Sequence, residues 1–329
     1  MLLSLLSCGH YADFTLPLLE GPPPAPVTLT LQAKPVLSPS APGEWDSSDV
    51  LNPSVVLHDR QFWNFYSGFD GRIWRTGVAT SPDGAVWTRR GRILTPDSSR
   101  WEGGYIAANG SALWRNGEFL YWYEAGEHEG VKRIGFARSF DGLHFRKEPV
   151  PVLDVGPYQS WDECAVADPY VIEAGGRLYM YYLGQDRAKP PHQRIGVARS
   201  RDGLSWEKLR SNPIVDMAPP GSGGMDENGA GEPAVFVWHG TYRMLITGRD
   251  AREHRRLAAL WSKDGIHWAS ILRNRQQQVF SGDQPWDSTI LCDPTVVVDA
   301  AGVRVWFGGG DQAKPDEGLH GRIGAGTLQ

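Results

Sequence analysis

Five copies of one acidic phrase, four Asp-Gly turns at near-equal spacing and no helical periodicity between them predict an all-β fold for this 329-residue chain, a five-bladed β-propeller. The phrase runs from a Trp or Met to a polar residue seven positions on: Trp45 to Asn52, Trp161 to Asp168, Met225 to Glu232 and Trp286 to Asp293. Trp101 leads to Asn109 with one extra residue. The Asp-Gly turns at Asp83, Asp141, Asp202 and Asp264 stand 58, 61 and 62 residues apart. Gly supplies the positive φ that such hairpin turns need.

Each repeat then reads as four short strands. An apolar strand follows the phrase, as in Ala234-Val235-Phe236-Val237. An aromatic second strand comes next, as in Leu178-Tyr179-Met180-Tyr181-Tyr182. The third reads Arg133-Ile134-Gly135-Phe136-Ala137-Arg138-Ser139 or Arg194-Ile195-Gly196-Val197-Ala198-Arg199-Ser200. The Asp-Gly turn leads to a fourth strand opened by Trp87, Phe145, Trp206 or Trp268. The fifth repeat ends at Ile323 to Leu328 with no Asp-Gly turn, so Val27 to Leu37 is expected to supply its outer strand and fasten the ring. Residues 27–329 thus form one propeller domain, and the Pro-rich residues 1–26 a signal remnant or tether lying over the surface.

Composition narrows the function. With 41% hydrophobic and 22% charged residues the chain is globular, and its net charge of −5 gives no reason to expect nucleic acid. Three Cys do not make a disulfide framework, and no metal-ligand spacing is present. No cofactor is expected, although a structural ion in an acidic central channel is compatible with the pattern. The first residues, Leu2-Leu3-Ser4-Leu5-Leu6-Ser7-Cys8, resemble the cleavage box of bacterial lipoproteins, though the run is short and lacks a basic leader. That resemblance implies a lipid anchor at Cys8 and an extracytoplasmic place, secreted, periplasmic or anchored. A monomer is expected.

In a propeller the first strand of each blade lines the central channel, so Asn52, Asn109, Asp168, Glu232 and Asp293 are expected around one funnel. Crowded carboxylates raise one another's pKa, which suits a general acid. Glu232 stands where the repeat otherwise offers Asp or Asn, so symmetry does not explain it. Asp162, Asp226 and Asp287 recur in most blades and read as architecture. Glu163 follows one of them and is placed at the funnel rim, and Trp74, His128 and His192 sit after second strands, where a sugar can stack.

This pattern resembles the five-bladed propeller glycosidases: arabinanases, β-xylosidases and α-L-arabinofuranosidases, with invertases and levansucrases as cousins. The resemblance implies a glycoside hydrolase acting on an oligo- or polysaccharide, with a non-catalytic sugar-binding propeller as the alternative. It implies Glu232 as general acid and Asp168 as the Asp that tunes it and orients substrate. Blade one departs, because Asn52-Pro53 stands where that family has Asp-Pro, and Asn cannot be a base. Asp49 is the substitute upstream. A related mannoside phosphorylase and hydrolase family also carries Asn-Pro on an early blade, with different acid chemistry, but its phosphate-binding basic cluster is not evident in the sequence. The turns Ser-x-Asp-Gly-x-x-Trp are one residue short of the sialidase Asp-box, which argues against that family.

Overall fold

The computed structural model describes residues 11–271 and 278–329, which contain strands and turns but no helix. Cys8 lies outside the described residues. After β1 (Tyr11–Ala12) and β2 (Leu29–Leu31), the strands fall into five antiparallel units. Unit one holds β3 (Asp49–His58), β4 (Gln61–Phe69), β5 (Trp74–Ser81) and β6 (Thr88–Leu94). Unit two holds β7 (Ile106–Arg115), β8 (Glu118–Gly126), β9 (Arg133–Ser139) and β10 (Arg146–Lys147). Unit three holds β11 (Ala165–Ala174), β12 (Arg177–Gln185), β13 (Gln193–Ser200) and β14 (Trp206–Leu209). Unit four holds β15 (Gly229–Trp238), β16 (Thr241–Arg249), β17 (Arg255–Ser262), β18 (Ala269–Ser270) and β19 (Gln278–Phe280). Unit five holds β20 (Ile290–Asp299), β21 (Gly302–Gly310) and β22 (Arg322–Leu328).

The repeated phrase is explained by packing. The Trp161 ring lies across two strands where only Gly fits: a Cβ on Gly184 would meet it at 2.1 Å and one on Gly196 at 2.6 Å. Trp45 lies in the same way over Gly68 and Gly77, and Trp286 over Gly309 and Gly324. The acid after the Trp is buried and bridges the second and fourth strands. Asp46 accepts from Tyr66 and Arg89, Glu102 from Tyr123 and Lys147, and Asp162 from Tyr182 and Lys208. These acids are therefore architecture.

Each Asp-Gly turn rests on the unit before it. Trp122 of unit two donates its indole N–H to Gly203 O at 2.8 Å, and Tyr181 of unit three its hydroxyl to Gly265 O at 2.9 Å. Trp306 of unit five does the same to Gly84 O of unit one at 2.8 Å. At the inner ends, third strands meet the next first strand in short parallel contacts: Trp74 with Ile106, Lys132 with Ala165, Gln193 with Gly229 and Arg255 with Ile290. Val50 N–H donates to Gly321 O at 3.1 Å between units one and five. On the outside, β2 pairs antiparallel with β22, Leu29 opposite Leu328, and Leu37 bridges Ile323.

Residues 11–26 are more than a surface tether. Leu16 is buried in the core between units three and four, its N–H bonded to Asp264 O, and Tyr242 donates its hydroxyl to Pro17 O. β1 runs parallel to β14. The arm buries apolar side chains at spaced positions, so no strand or helix period marked it in the sequence.

Candidate active site

Every first strand carries a bulge at the position that ends the phrase. The register with the second strand skips two residues: Asn52-Pro53, Asn109-Gly110, Asp168-Pro169, Glu232-Pro233 and Asp293-Pro294. Pro has no N–H to give the ladder, and a bulge removes that demand. The residue before it takes φ of 44° to 50° in all five units. Asn and Asp tolerate this left-handed region, whereas Glu232 holds it at a steric cost. The bulges aim all five side chains into one cavity of about 600 Å³.

The carboxylates there are linked. Asp293 N–H donates to Glu232 Oε2 at 3.0 Å, and Cys292 Sγ to Asp293 Oδ2 at 3.1 Å. Arg255 Nη1 lies 4.0 Å from Glu232 Oε1. Burial alone would push the Glu232 carboxyl up, but Arg255 and bonds from Asp293 and Thr247 bring it below its usual range. Asp168 goes the other way: burial, then the charges of Glu124, Glu232 and Asp293, hold it well up, and its Oδ1 is sealed from solvent without a partner. Burial, then Glu232, raises Asp293 as well. The expected division of labour has Glu232 as acid and Asp168 as its tuner, whereas the surroundings raise the Asp168 carboxyl and lower that of Glu232.

Asp49 is not in the cavity. It is buried, and its two oxygens accept from Gly318 N–H at 2.9 Å and Gly321 N–H at 2.7 Å. It anchors the loop between β21 and β22 and has no room to act as a base. Its parity explains this, since three residues before Asn52 it faces the other side of the strand. Glu163 also lies off the main cavity, accepting from Arg187 Nε at 3.0 Å and lining a neighbouring groove. Trp74 is on the cavity wall, but as a buried ring stacked on Phe69 at the start of β5, not in a loop. His128 lies on the wall between Glu129 and Glu317, whereas His192 is tied to Asp186 at 2.9 Å.

Two features escaped the sequence reading. Glu124 lines the cavity, accepts from Asn109 Nδ2 at 3.1 Å and is pushed up to about 7, chiefly by burial. It pairs with Ala108, where the other units place Ser67, Leu183, Thr247 and Gly308, so a strand-by-strand comparison of repeats would have exposed it. The second is a tier above the bulges. Trp74, Lys132, Gln193 and Arg255 occupy equivalent positions at the inner end of third strands, and all line the cavity. With Arg249, the cations of this tier, Lys132 and Arg255, give the cavity a basic wall; Arg249 and Arg255 stand in the Arg-rich run from Arg249 to Arg256, a local signal that the sequence reading passed over. Glu232, Cys292 and Asp293 bring potential metal-ligand atoms within 4.8 Å of one another, but Arg255 already supplies the balancing positive charge beside Glu232.

With this geometry in hand, comparison with known proteins is decisive. The model of glycoside hydrolase family 130, described as beta-1,4-mannooligosaccharide phosphorylase, matches residues 106–313. The chain belongs to that family. This family-130 protein is 28% identical over 237 residues to an uncharacterised protein of Mycobacterium tuberculosis (strain H37Rv), covering 68% of this chain and 75% of that one. It is 29% identical over 124 residues to a 1,2-beta-oligomannan phosphorylase of Thermoanaerobacter, covering 35% and 41%. A solved structure titled as showing that family-130 mannoside phosphorylases contain hydrolases of beta-1,2 mannosidic linkages in Candida mannan superposes with a TM-score of 0.69 at 16% identity, covering 94% of this chain and 96% of that one. That likeness shows the fold. The protein is therefore a glycoside-processing member of the propeller glycoside hydrolases. The family shown is the mannoside one, and membership of the arabinanase and xylosidase group is not shown.

Proposed function

We propose that this protein is a five-bladed propeller enzyme that cleaves a β-mannosidic bond of an oligosaccharide by phosphorolysis. The five antiparallel units, the Trp306–Gly84 and Val50–Gly321 bonds between the fifth unit and the first, and the pairing of β2 with β22 support the closed ring. The observation that carries the activity is the meeting of five bulge residues, one from each unit, in a cavity with a basic wall.

Asp168 donates its proton to the leaving glycosidic oxygen, as its raised carboxyl allows. The bond from that oxygen to the anomeric carbon breaks while a phosphate oxygen bonds to the carbon. Glu232, ionised beside Arg255, stabilises the positive charge that develops there. Lys132, Arg249 and Arg255 hold the phosphate, with Arg255 Nε buried and unpartnered in the protein alone. Asn52 and Asn109 bind sugar hydroxyls, Trp74 walls the site and Asp293 positions Glu232 through its backbone N–H.

Hydrolysis is the second reading. It is favoured by the Glu232 carboxylate, which already matches the Arg255 charge and so weakens the call for a phosphate. The test is incubation with β-1,4- and β-1,2-mannobiose, with and without inorganic phosphate. Mannose 1-phosphate formed only with phosphate is the expected product. Mannose at equal rates in both conditions replaces phosphorolysis by hydrolysis, and no cleavage of either disaccharide refutes the assignment.

A further inference from the structure

A second groove adjoins the main cavity over unit three. It has a volume of about 520 Å³ and is lined by Gln159, Trp161, Glu163, Arg194 and Asp216 among others. That is within the range of about 300–1,000 Å³ typical of ligand clefts. The two cavities share one wall, the segment Asp186-Arg187-Ala188. Arg187 is the crest between them. Its side chain is 62% exposed, yet its Nε is held at 3.0 Å by Glu163, which is itself buried and also accepts from Gln159 N–H. Asp186 stiffens the same crest, accepting from Ala188 N–H, His192 N–H and Arg194 Nη1. A solvent-facing loop residue such as Arg187 has no need of so much fixing unless its position matters.

Tyr158 immediately precedes Gln159, which lines this groove. It is 76% exposed, and its phenol lies within electrostatic reach of the Arg187 guanidinium. A pyranose ring presents a face of C–H groups that packs on such an aromatic face, while its hydroxyls need charged and amide partners of the kind Arg187, Glu163, Arg194 and Asp216 offer. The polar lining and open aromatic edge suit a sugar chain better than an apolar ligand.

We propose that the groove is a distal subsite that holds the further sugar units of an oligosaccharide whose reacting end lies in the main cavity, with Tyr158 as stacking platform and Arg187 as the ridge the chain crosses. The proposal rests on the mannoside-cleaving reading above. It makes Tyr158 and Arg187 determinants of chain-length preference.

The test compares the full chain with Tyr158→Ala, a change at an exposed position that leaves the core intact. kcat/KM is measured for β-1,4-mannobiose and β-1,4-mannotetraose, and binding of both sugars is followed by calorimetry. The tetraose-to-biose ratio of kcat/KM is expected to fall by about three- to tenfold, the size of one lost aromatic stack. An unchanged ratio overturns the subsite and leaves the cleavage reading standing. Should the wild-type chain cleave neither sugar, the β-1,4 linkage is excluded, the cleavage reading is decided by the β-1,2-mannobiose assay above, and calorimetry decides the groove alone. Tetraose binding weakened by the same factor in the variant supports the groove, and equal or absent binding overturns it.

Discussion

At the scale of the residue, the site is a set of unlike polar side chains, three of them carboxyl groups, made by like backbone positions. Asn52, Asn109, Asp168, Glu232 and Asp293 share one bulge and one φ, so their differences come from neighbours. Arg255 holds the Glu232 carboxyl below its usual range, and burial raises those of Asp168 and Asp293. Glu124 has a stability consequence. Its pKa of about 7 in the folded chain lies above the value of about 4.3 expected when unfolded, so across that window the native state holds a proton the unfolded chain has released. Stability contributed by this group is full below the window and is lost as pH rises through about 7. Glu124→Gln should therefore raise stability by about 1–3 kcal/mol at pH 8 and by little at pH 4, as read from denaturant unfolding at the two pH values. An equal effect at both would remove the burial argument. Glu232 was legible in the sequence because a Glu broke a repeat of Asp and Asn. The roles were not, since Arg255 is 23 residues away in sequence and nothing local reports its approach.

At the scale of the element, the legible signals were those that recur with the strand. The phrase, the aromatic second strand and the Asp-Gly turn each have a physical partner: a Trp across two glycines, a buried acid on a Tyr, a Ser and Asp side-chain clamp. Gly184→Ala tests the first. The added methyl meets the Trp161 ring at 2.1 Å, and overpacking of this kind costs about 1–3 kcal/mol, so the variant should melt lower than the wild type. A melting curve that superposes on the wild type would mean the ring moves aside freely. Asp49 was misread at this scale. The strand's alternation turns it away from Asn52, and the two N–H groups that occupy it come from a loop some 270 residues later. The arm at residues 11–26 was misread for lack of any period, although Leu16 is as buried as strand residues and Phe14 packs, partly buried, against the same core.

At the scale of the whole molecule, the account depends on five units meeting around one axis, because no unit holds more than a fraction of the cavity wall. The pairing of β2 with β22 ties residue 29 to residue 328 and gives the fifth unit its outer strand. Deleting residues 1–37 should lower the melting temperature of the entire protein, followed by tryptophan fluorescence, and not merely release a tail. Melting like that of the full chain would dissolve the ring. The site's central claim, that Asp168 from unit three protonates the leaving oxygen while Glu232 from unit four stays charged, has a direct test. Asp168→Asn is assayed with phosphate on β-1,4-mannobiose and on p-nitrophenyl β-mannoside, whose phenolate leaves without needing a proton. The account predicts a loss of about 10²–10⁴-fold on the disaccharide and a far smaller loss on the aryl mannoside. Equal losses on the two substrates, or none on the disaccharide, would contradict it.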